Sequence, residues 1–578
     1  MKKKWWFCFF CIVLGYPWIS SGQSQTLKFS NRIQQSNLSP HMDGIHAHGA
    51  GWGDIDGDGW LDLFVGVFSD NKKTSLLFRN EKGQFKFDDQ PVFRVPTRAT
   101  GVVFVDFDND GDQDLYVGSM SKKTDEEIRQ AARGDSIHNS KVPAKSYPEG
   151  AVGNRLYQND GYGNFTDISK NNGACPDSIG GRSVSVFDYD GDGLLDILAG
   201  EDPMTGYNGS KTKSSRLFKN LGSLKFKDVS FEAGVPDNVP AYGTAVCDVN
   251  NDSWPDFFLA SNDGGNRLFI NDKKGKFYEI EKLNKLFQWD GSGGSNMVCG
   301  VAFGDVNRDG LMDVVLGSHF QYPWVNPQPV RLFLNKTDKT GEINFEEVTF
   351  QAGLSPIHIK TPHVEIQDFD NDGWPDILVS GVKFYEHGIY PLISRNLGVS
   401  QAGIPRFINE ANSMNDFPTI QEMNYIQSHK TDSIFLKIQN DKRITYFAPG
   451  PTADYDNDGW LDIMLASWWS EFSSLLLHNE TFNGNKWLKI KIKNLPGLSA
   501  MGIGTRINVY KAGQLGKKGG FLGSKEISAG YGYASGPSSI AHFGLGSTSR
   551  VDIELILPYD KGKIVKKGIK ANQLWIVK

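Results

Sequence analysis

Asp54-Ile-Asp-Gly-Asp-Gly-Trp-Leu-Asp62 decides the fold, because the same nine-residue pattern returns along the chain. Asp-x-Asp/Asn-x-Asp-Gly-x-x-Asp occurs seven times, starting at Asp54, Asp106, Asp188, Asp248, Asp305, Asp368 and Asp454. An internal repeat of this kind marks a modular architecture, and what flanks it gives the module. Gly101-Val-Val-Phe-Val precedes one copy and Leu115-Tyr-Val follows it, both reading as short strands. Further on a third element recurs, as Leu77-Phe-Arg-Asn, Leu156-Tyr-Gln-Asn, Leu217-Phe-Lys-Asn, Leu268-Phe-Ile-Asn and Leu332-Phe-Leu-Asn, and in weaker form as Ile393-Ser-Arg-Asn and Leu476-Leu-His-Asn. A fourth centres on a phenylalanine such as Phe85, Phe165 or Phe226. Four short strands per unit predict a propeller blade, so residues 23–482 are expected to form an all-β, seven-bladed β-propeller.

The spelling of the repeat is that of a calcium loop. Calcium takes six to eight oxygens, and alternate acidic side chains at positions one, three and five of a tight turn point inward together. Position seven offers a carbonyl, the aspartate at position nine closes the shell with both oxygens, and glycine at position six supplies a left-handed backbone. The expected ligands are Asp54, Asp56, Asp58 and Asp62; Asp106, Asp108, Asp110 and Asp114; and Asp188, Asp190, Asp192 and Asp196. In the next two copies they are Asp248, Asn250, Asp252 and Asp256, then Asp305, Asn307, Asp309 and Asp313. The last two supply Asp368, Asp370, Asp372 and Asp376, then Asp454, Asp456, Asp458 and Asp462. About seven structural Ca2+ ions follow from this count. The fourth copy, with Asn250 at position three and Ser253 where glycine belongs, is the weakest. Flanking strands instead of helices, and a closing acid at position nine instead of twelve, exclude an EF-hand.

The first residues read as an export signal. Lys2, Lys3 and Lys4 precede an apolar run from Trp5 to about Ile19, and the small residues Ser20 and Gly22 stand before Gln23. Residues 1–22 are therefore expected to be a signal peptide, and the mature chain to be exported to the cell surface, periplasm or exterior with no membrane span. It keeps Cys175, Cys247 and Cys299, too few and too odd a set to serve as a disulfide framework.

Ahead of each loop, one side of the inner strand is apolar and the other small, as in Gly49-x-Gly51-x-Gly53, which suggests strands crowding a central channel. Larger polar residues, His46, His48, Arg98, Arg182 and Tyr242, stand further back and are expected to ring the channel mouth opposite the loops, with His363 and Glu365 in the sixth unit. Segments bearing Tyr322, Trp324, Trp468 and Trp469 should reach the same face, where flat aromatic area suits a sugar ring or a protein patch. His48, Arg182, His363, Glu365, Tyr322, Trp324, Trp468 and Trp469 are thus the candidate ligand-binding residues.

After Asn483 the loops stop. Trp487-Leu-Lys-Ile-Lys-Ile-Lys alternates as a half-buried strand, and similar runs at Thr505 to Tyr510, Ile540 to Phe543, Val551 to Leu557 and Leu574 to Val577 predict a small β-sandwich over 483–578. On these residues the chain resembles a known family. The repeats are similar to FG-GAP/VCBS repeats of the kind found in the integrin α-subunit propeller. Gly502-Ile-Gly-Thr-Arg-Ile507, Gly530-Tyr-Gly-Tyr-Ala-Ser535 and His542-Phe-Gly-Leu-Gly546 resemble the hallmarks of the ASPIC/UnbV domain, and the pairing resembles the cartilage acidic protein-like family. One departure is Leu557-Pro558, where that domain has Trp-Pro. The resemblance implies extracellular calcium binding and adhesion-like function, and carries no catalytic residue onto this chain.

The function expected from these features is non-catalytic binding of a glycan or an extracellular protein. Two alternatives stand beside it. One is a polysaccharide-acting, lyase-like enzyme using His363, Glu365, His48 and Arg182, since some propeller lyases resemble this chain in their calcium loops; the other is an accessory subunit of an exported assembly, docked through the C-terminal sandwich. No nucleophile elbow, phosphate loop or zinc pattern is present in the sequence, and no basic cluster was found that would suit nucleic acid.

Overall fold

A computed structural model describes residues 27–578 apart from 69–72, 120–152, 177–179, 202–214, 237–238, 262–264, 290–296, 321–326, 358, 386–387, 410–443 and 469–472. The expected signal peptide, the short helix that Thr124-Asp-Glu-Glu, as an N-cap with an acidic first turn, predicts over Lys122 to Arg133, and the candidates Tyr322, Trp324 and Trp469 lie outside the described residues. Among the described residues, no helix is long and apolar enough to cross a membrane.

The protein is all-β, with repeated antiparallel sheets arranged as a propeller. In the first repeat, Ala47–Gly53, Asp62–Val67, Leu76–Glu81 and Gln84–Phe87 pair in that order. The inner strands of later repeats, Ala99–Val105, Gly181–Phe187, Ala241–Cys247, Val298–Gly304 and Val364–Gln367, follow the same plan. Each nine-residue loop joins the first strand of a repeat to its second. The last repeat, Thr452–Ala453, Asp462–Leu465 and Leu475–Asn479, takes its outer strand from the other end of the chain. Phe29–Asn31 pairs antiparallel with it, Phe29 opposite Asn479. Three residues are too few for an alternating pattern, which is why no strand was legible there.

The glycine row serves neighbouring blades more than the channel. A β-carbon on Gly49 would stand 1.8 Å from the carbonyl oxygen of Thr100, and one on Gly243 would stand 1.8 Å from that of Cys299. Inner strands of successive repeats thus approach backbone to backbone, and only glycine permits it.

A second motif ties the ring together. The asparagine at or near the end of each third strand sends its side-chain amide to the carbonyl of loop position two in the preceding repeat. Asn159 donates to Ile55, Asn220 to Phe107, Asn271 to Tyr189, Asn335 to Val249, Asn396 to Val306 and Asn479 to Phe369. Asn80 of the first repeat donates to Tyr455 of the last at 2.8 Å, so the chain of contacts closes on itself.

The C-terminal domain has two sheets. Ala541–Gly546, Lys486–Ile492 and Leu574–Val577 form one; Phe521–Glu526, Arg506–Lys511, Arg550–Ile556 and Lys563–Lys570 form the other. Two of these strands, Phe521–Glu526 and Lys563–Lys570, were not read from the sequence, because glycine in the first and consecutive lysines in the second hide the alternation. The domain packs on the loop face of the propeller and sends the segment Ala529–Gly536 down the channel. Val186 donates its N–H to the Ala529 carbonyl, Gly532 donates to Thr244, and Ser535–Gly536 lies parallel to Ala50–Gly51 of the first inner strand. Gly530 is required here: its φ is +70° and a β-carbon would stand 2.2 Å from the Val184 carbonyl oxygen.

Asn220→Ala removes a buried amide that satisfies two carbonyls, those of Phe107 and Leu195. A loss of about 2–3 kcal/mol is expected, read as a lowered melting temperature, whereas Leu221→Ala, at a 57% exposed position, should leave it unchanged. An equal melt for both variants would contradict the inter-blade role.

Candidate functional site

Each loop is pre-shaped by its own backbone. The position-nine aspartates are buried, and both oxygens receive backbone N–H groups. Asp62 accepts from Asn80 at 2.8 Å and from Ile55 at 3.1 Å, and Asp196 accepts from Asn220 at 2.7 Å and Tyr189 at 2.9 Å. The same pair of bonds holds Asp114, Asp256, Asp313, Asp376 and Asp462. Position nine is therefore a structural keystone of the turn as well as an expected ligand, and its oxygens keep a lone pair each for a cation except at Asp462, whose Oδ1 also meets His478 Nδ1 at 3.0 Å. Position four is left-handed as well as position six: Gly57, Asn109, Gly191, Asn251, Arg308, Asn371 and Asn457 all have positive φ. Ser253 adopts φ +68° at position six, so the fourth loop keeps the shape despite lacking glycine.

Tested against calcium, the donor sets fit. The expected ligands are all oxygen donors, and at the first, second, third and sixth loops three of them lie within 4.8 Å of one another: Asp54, Asp56 and Asp58; Asp106, Asp108 and Asp110; Asp188, Asp190 and Asp196; and Asp368, Asp370 and Asp376. At the last loop Asp456 and Asp462 cluster with the His478 imidazole, which lies outside the expected set. Asp108 Oδ1, Asp190 Oδ1, Asp368 Oδ1 and Asp454 Oδ1 are buried and accept no hydrogen bond. Buried carboxylate oxygens without donors are costly unless a cation meets them.

A charge rule runs through the loops. The third-strand residue before each asparagine faces loop position three. Arg79 meets Asp56 at 3.2 Å, Gln158 meets Asp108 at 3.2 Å, Lys219 bonds Asp190, Arg395 lies 3.8 Å from Asp370, and His478 lies 3.5 Å from Asp456. Where position three is Asn250 or Asn307, the facing residue is apolar, Ile270 or Leu334. Those asparagines instead bond Asp252 and Asp309. A carboxylate at position three thus comes with a polar or cationic partner, and its neutral counterpart comes without one. This was readable as Arg, Gln, Lys, Ile, Leu, Arg, His in the third motif and was missed.

Position one is met from the C-terminal domain. Lys491 Nζ lies 2.6 Å from Asp54, Lys489 Nζ 2.6 Å from Asp454, Asn494 3.3 Å from Asp106, and Arg506 3.6 Å from Asp248. Tyr559, beside the Leu557-Pro558 departure, donates to the Asp188 carbonyl and sets its ring edge against Trp254.

The candidate ligand residues do not form an open mouth. His48 and Arg182 are buried, and His363 and Glu365 are fully so. Arg182 donates to the Tyr533 hydroxyl at 2.8 Å, and that hydroxyl lies 2.9 Å from His48 Nε2. Burial first, then the charges of Arg182, His319 and Arg98, hold His48 well below the usual histidine range, so the ring is neutral and joins Tyr533 through a single hydrogen bond at Nε2. His363 Nε2 lies 3.0 Å from Glu365, which also takes the Thr452 backbone and hydroxyl, and the Tyr531 ring stacks over His363. His48 and Arg182 thus meet at Tyr533 while His363 and Glu365 form a separate pair beside Tyr531, and the channel segment covers both. Sequence reasoning could not see this, because Tyr531 and Tyr533 are 166 or more positions away from these residues. Trp468 is half-buried, its ring centroid 4.2 Å from that of His48.

Comparison with known proteins matches these parts. The chain matches the FG-GAP-like repeat family over residues 24–117, 147–199 and 248–316, and the ASPIC and UnbV family over 496–578. Human cartilage acidic protein 1 is 24% identical over 589 residues, covering 98% of this chain and 77% of the human one. The Xenopus tropicalis protein of the same name is 24% identical over 546 residues, covering 90% and 71%. Among solved structures, an Agrocybe aegerita lectin that recognises non-reducing terminal N-acetylglucosamine aligns with TM-score 0.36 and 16% identity, over 64% of this chain and 81% of the lectin. A rhamnogalacturonan lyase of Bacillus licheniformis aligns with TM-score 0.36 and 12% identity, over 76% and 72%.

Without cations, burial pushes Asp62, Asp114 and Asp305 up to about 8 from 3.8. A carboxylate whose folded-state value is raised stabilises the fold below its unfolded value and loses that contribution as pH rises through the folded one. The chelated protein should therefore lose melting temperature steadily from about pH 4 to about pH 8. Calcium binds the ionised form, so the difference between calcium-loaded and chelated melts should widen over the same range. A constant difference would contradict cation binding at these loops, and Asp376→Ala should reproduce part of the chelated loss.

Proposed function

From the premise that this chain joins FG-GAP-like repeats to an ASPIC and UnbV domain, and is homologous over most of its length to cartilage acidic protein 1, we propose that it is an exported, calcium-loaded, non-catalytic binding module. About seven Ca2+ ions, one per loop, are the structural cofactor of this reading, and the ligand is a glycan or an extracellular protein.

One observation carries the proposal: the groups with the means for acid–base chemistry are spent inside the molecule. His48 and Arg182 hold Tyr533, and His363 and Glu365 hold each other, Thr452 and Tyr531. A lyase would need those side chains at an open cleft with a pair poised to take and give a proton, and the lyase reading finds no support at the residues that suggested it. The loops are equally committed, since the C-terminal domain lies over them. On the propeller this leaves for a partner the end of the channel away from that domain, where Trp468 stands and where Tyr322, Trp324 and Trp469 are proposed to add aromatic area. Rigid aromatics bury large contact area at small entropic cost, which suits a sugar ring or a protein patch.

A glycan array probed with the calcium-loaded protein tests this reading. The expected result is a restricted set of glycans, with signal lost in Trp324→Ala and Trp469→Ala while the melting temperature holds. No signal from wild type on glycans would remove that ligand class and leave the accessory-subunit reading, in which the partner is a protein.

A further inference from the structure

The net charge of −6 conceals two opposed halves. Residues 483–578 hold 16 Lys and Arg against 4 Asp and Glu, whereas residues 23–482 hold 42 against 63. The expectation that the chain lacks a basic cluster is thereby corrected: a whole-chain sum cannot register a small basic domain beside a large acidic one.

The basic residues of the C-terminal domain divide by position. Lys489, Lys491 and Arg506 face the acidic loops, and Lys525 bonds Gln367 beside the sixth loop. The strand Arg506–Lys511 then leads away from the propeller by about 17 Å, at the usual rise of an extended chain. At its far end a second set gathers. Lys511 and Arg550 lie at the ends of adjacent strands, and Arg550 stands directly opposite Lys570. Lys566 and Lys567 sit in the irregular stretch of the edge strand, and Lys517 and Lys518 in the hairpin after Lys511. All seven are exposed.

This end is built, not merely frayed. The buried Asp552 accepts the Gly513 N–H at 2.8 Å on one oxygen and the Gly568 N–H at 2.9 Å on the other. Arg550 donates to the Gly568 carbonyl at 2.9 Å. One carboxylate therefore locks the Lys511 hairpin to the Lys567 turn and holds their lysines together. Among the described residues, none of the seven makes an ion pair, whereas Lys563 on the same strand is paired with Glu554. Like charges directly opposite across antiparallel strands destabilise a sheet, so Arg550 facing Lys570 works against stability. Lysine on an edge strand also deters aggregation, which covers Lys566 and Lys567. It does not cover Lys511 or Arg550, which belong to interior strands.

We propose that this distal basic face of the C-terminal domain binds an anionic polysaccharide, one bearing sulfate or uronate groups. Six lysines to one arginine provide point charges suited to a flexible chain of separated anions more than to bidentate phosphate recognition. None of the seven positions is aromatic. Tyr510, next to Lys511 in the strand, is buried with its ring centroid 5.3 Å from that of Phe521, so it is not a free platform on which a base could stack. Val565 is the apolar side chain exposed on the edge strand, too little to anchor in a lipid surface. The face is separate from the aromatic end of the channel and does not depend on it.

The test uses the full mature chain with calcium present. Heparin and polygalacturonate are the polysaccharide probes, with duplex DNA and phosphatidylserine vesicles beside them. Binding to at least one polysaccharide is expected at low salt, weakening about tenfold or more between 50 and 200 mM salt as counterions compete. Lys511→Glu/Lys567→Glu/Lys570→Glu should weaken it by about tenfold or more with an unchanged melting temperature, and the corresponding triple glutamine variant should fall between. Reversal of three exposed propeller lysines, Lys82, Lys170 and Lys274, should leave binding intact. Equal loss from both triple sets, no polysaccharide binding at 50 mM salt, or tighter binding to DNA or vesicles than to either polysaccharide would each overturn the proposal.

Discussion

The structure depends on a hydrogen bond between neighbouring blades. The asparagine at or near the end of each third strand donates its side-chain amide to the loop of the blade before it, while its backbone N–H serves the position-nine aspartate of its own loop. That aspartate in turn receives the position-two N–H, and the carbonyl of the same position-two residue is the acceptor for the next asparagine. Loop shape and ring closure are therefore one network. A typical bond of this kind is worth about 1 kcal/mol net, but each is buried, and leaving its acceptors unmet costs more than the bond returns.

Charge is arranged around that network by the same economy. Carboxylates at position three face a polar or cationic third-strand residue, asparagines face an apolar one, and several position-one aspartates are met by side chains of the C-terminal domain. The domain is thus held by the acidity of the loops as well as by its glycine-rich segment in the channel. Its surplus of positive charge makes sense in two parts: one faces the loops, and the other is turned outward at the far end of the second sheet.

Much of this was legible in the chain. The seven-fold repeat predicted the propeller, its loops and its strands, because hairpin turns and period-two burial are local properties. The alternation from Trp487 predicted the sandwich. The channel-mouth residues were misplaced, because Tyr531 and Tyr533 reach them from another domain and no local rule connects Arg182 to a tyrosine 351 positions later. The third-strand charge rule and the basic C-terminal domain could have been found by aligning the repeats and dividing the charge by domain.

The sequence by itself determined the repeat, the oxygen-rich loops and the two-domain division, since each is encoded within a few residues of itself. Only the tertiary structure decided that Phe29–Asn31 completes the last sheet, that Ala529–Gly536 fills the channel, and that His48, Arg182, His363 and Glu365 are interior groups. Those outcomes depend on which distant backbones meet within hydrogen-bonding distance, and such meetings are settled by packing the whole ring rather than by any stretch of the chain.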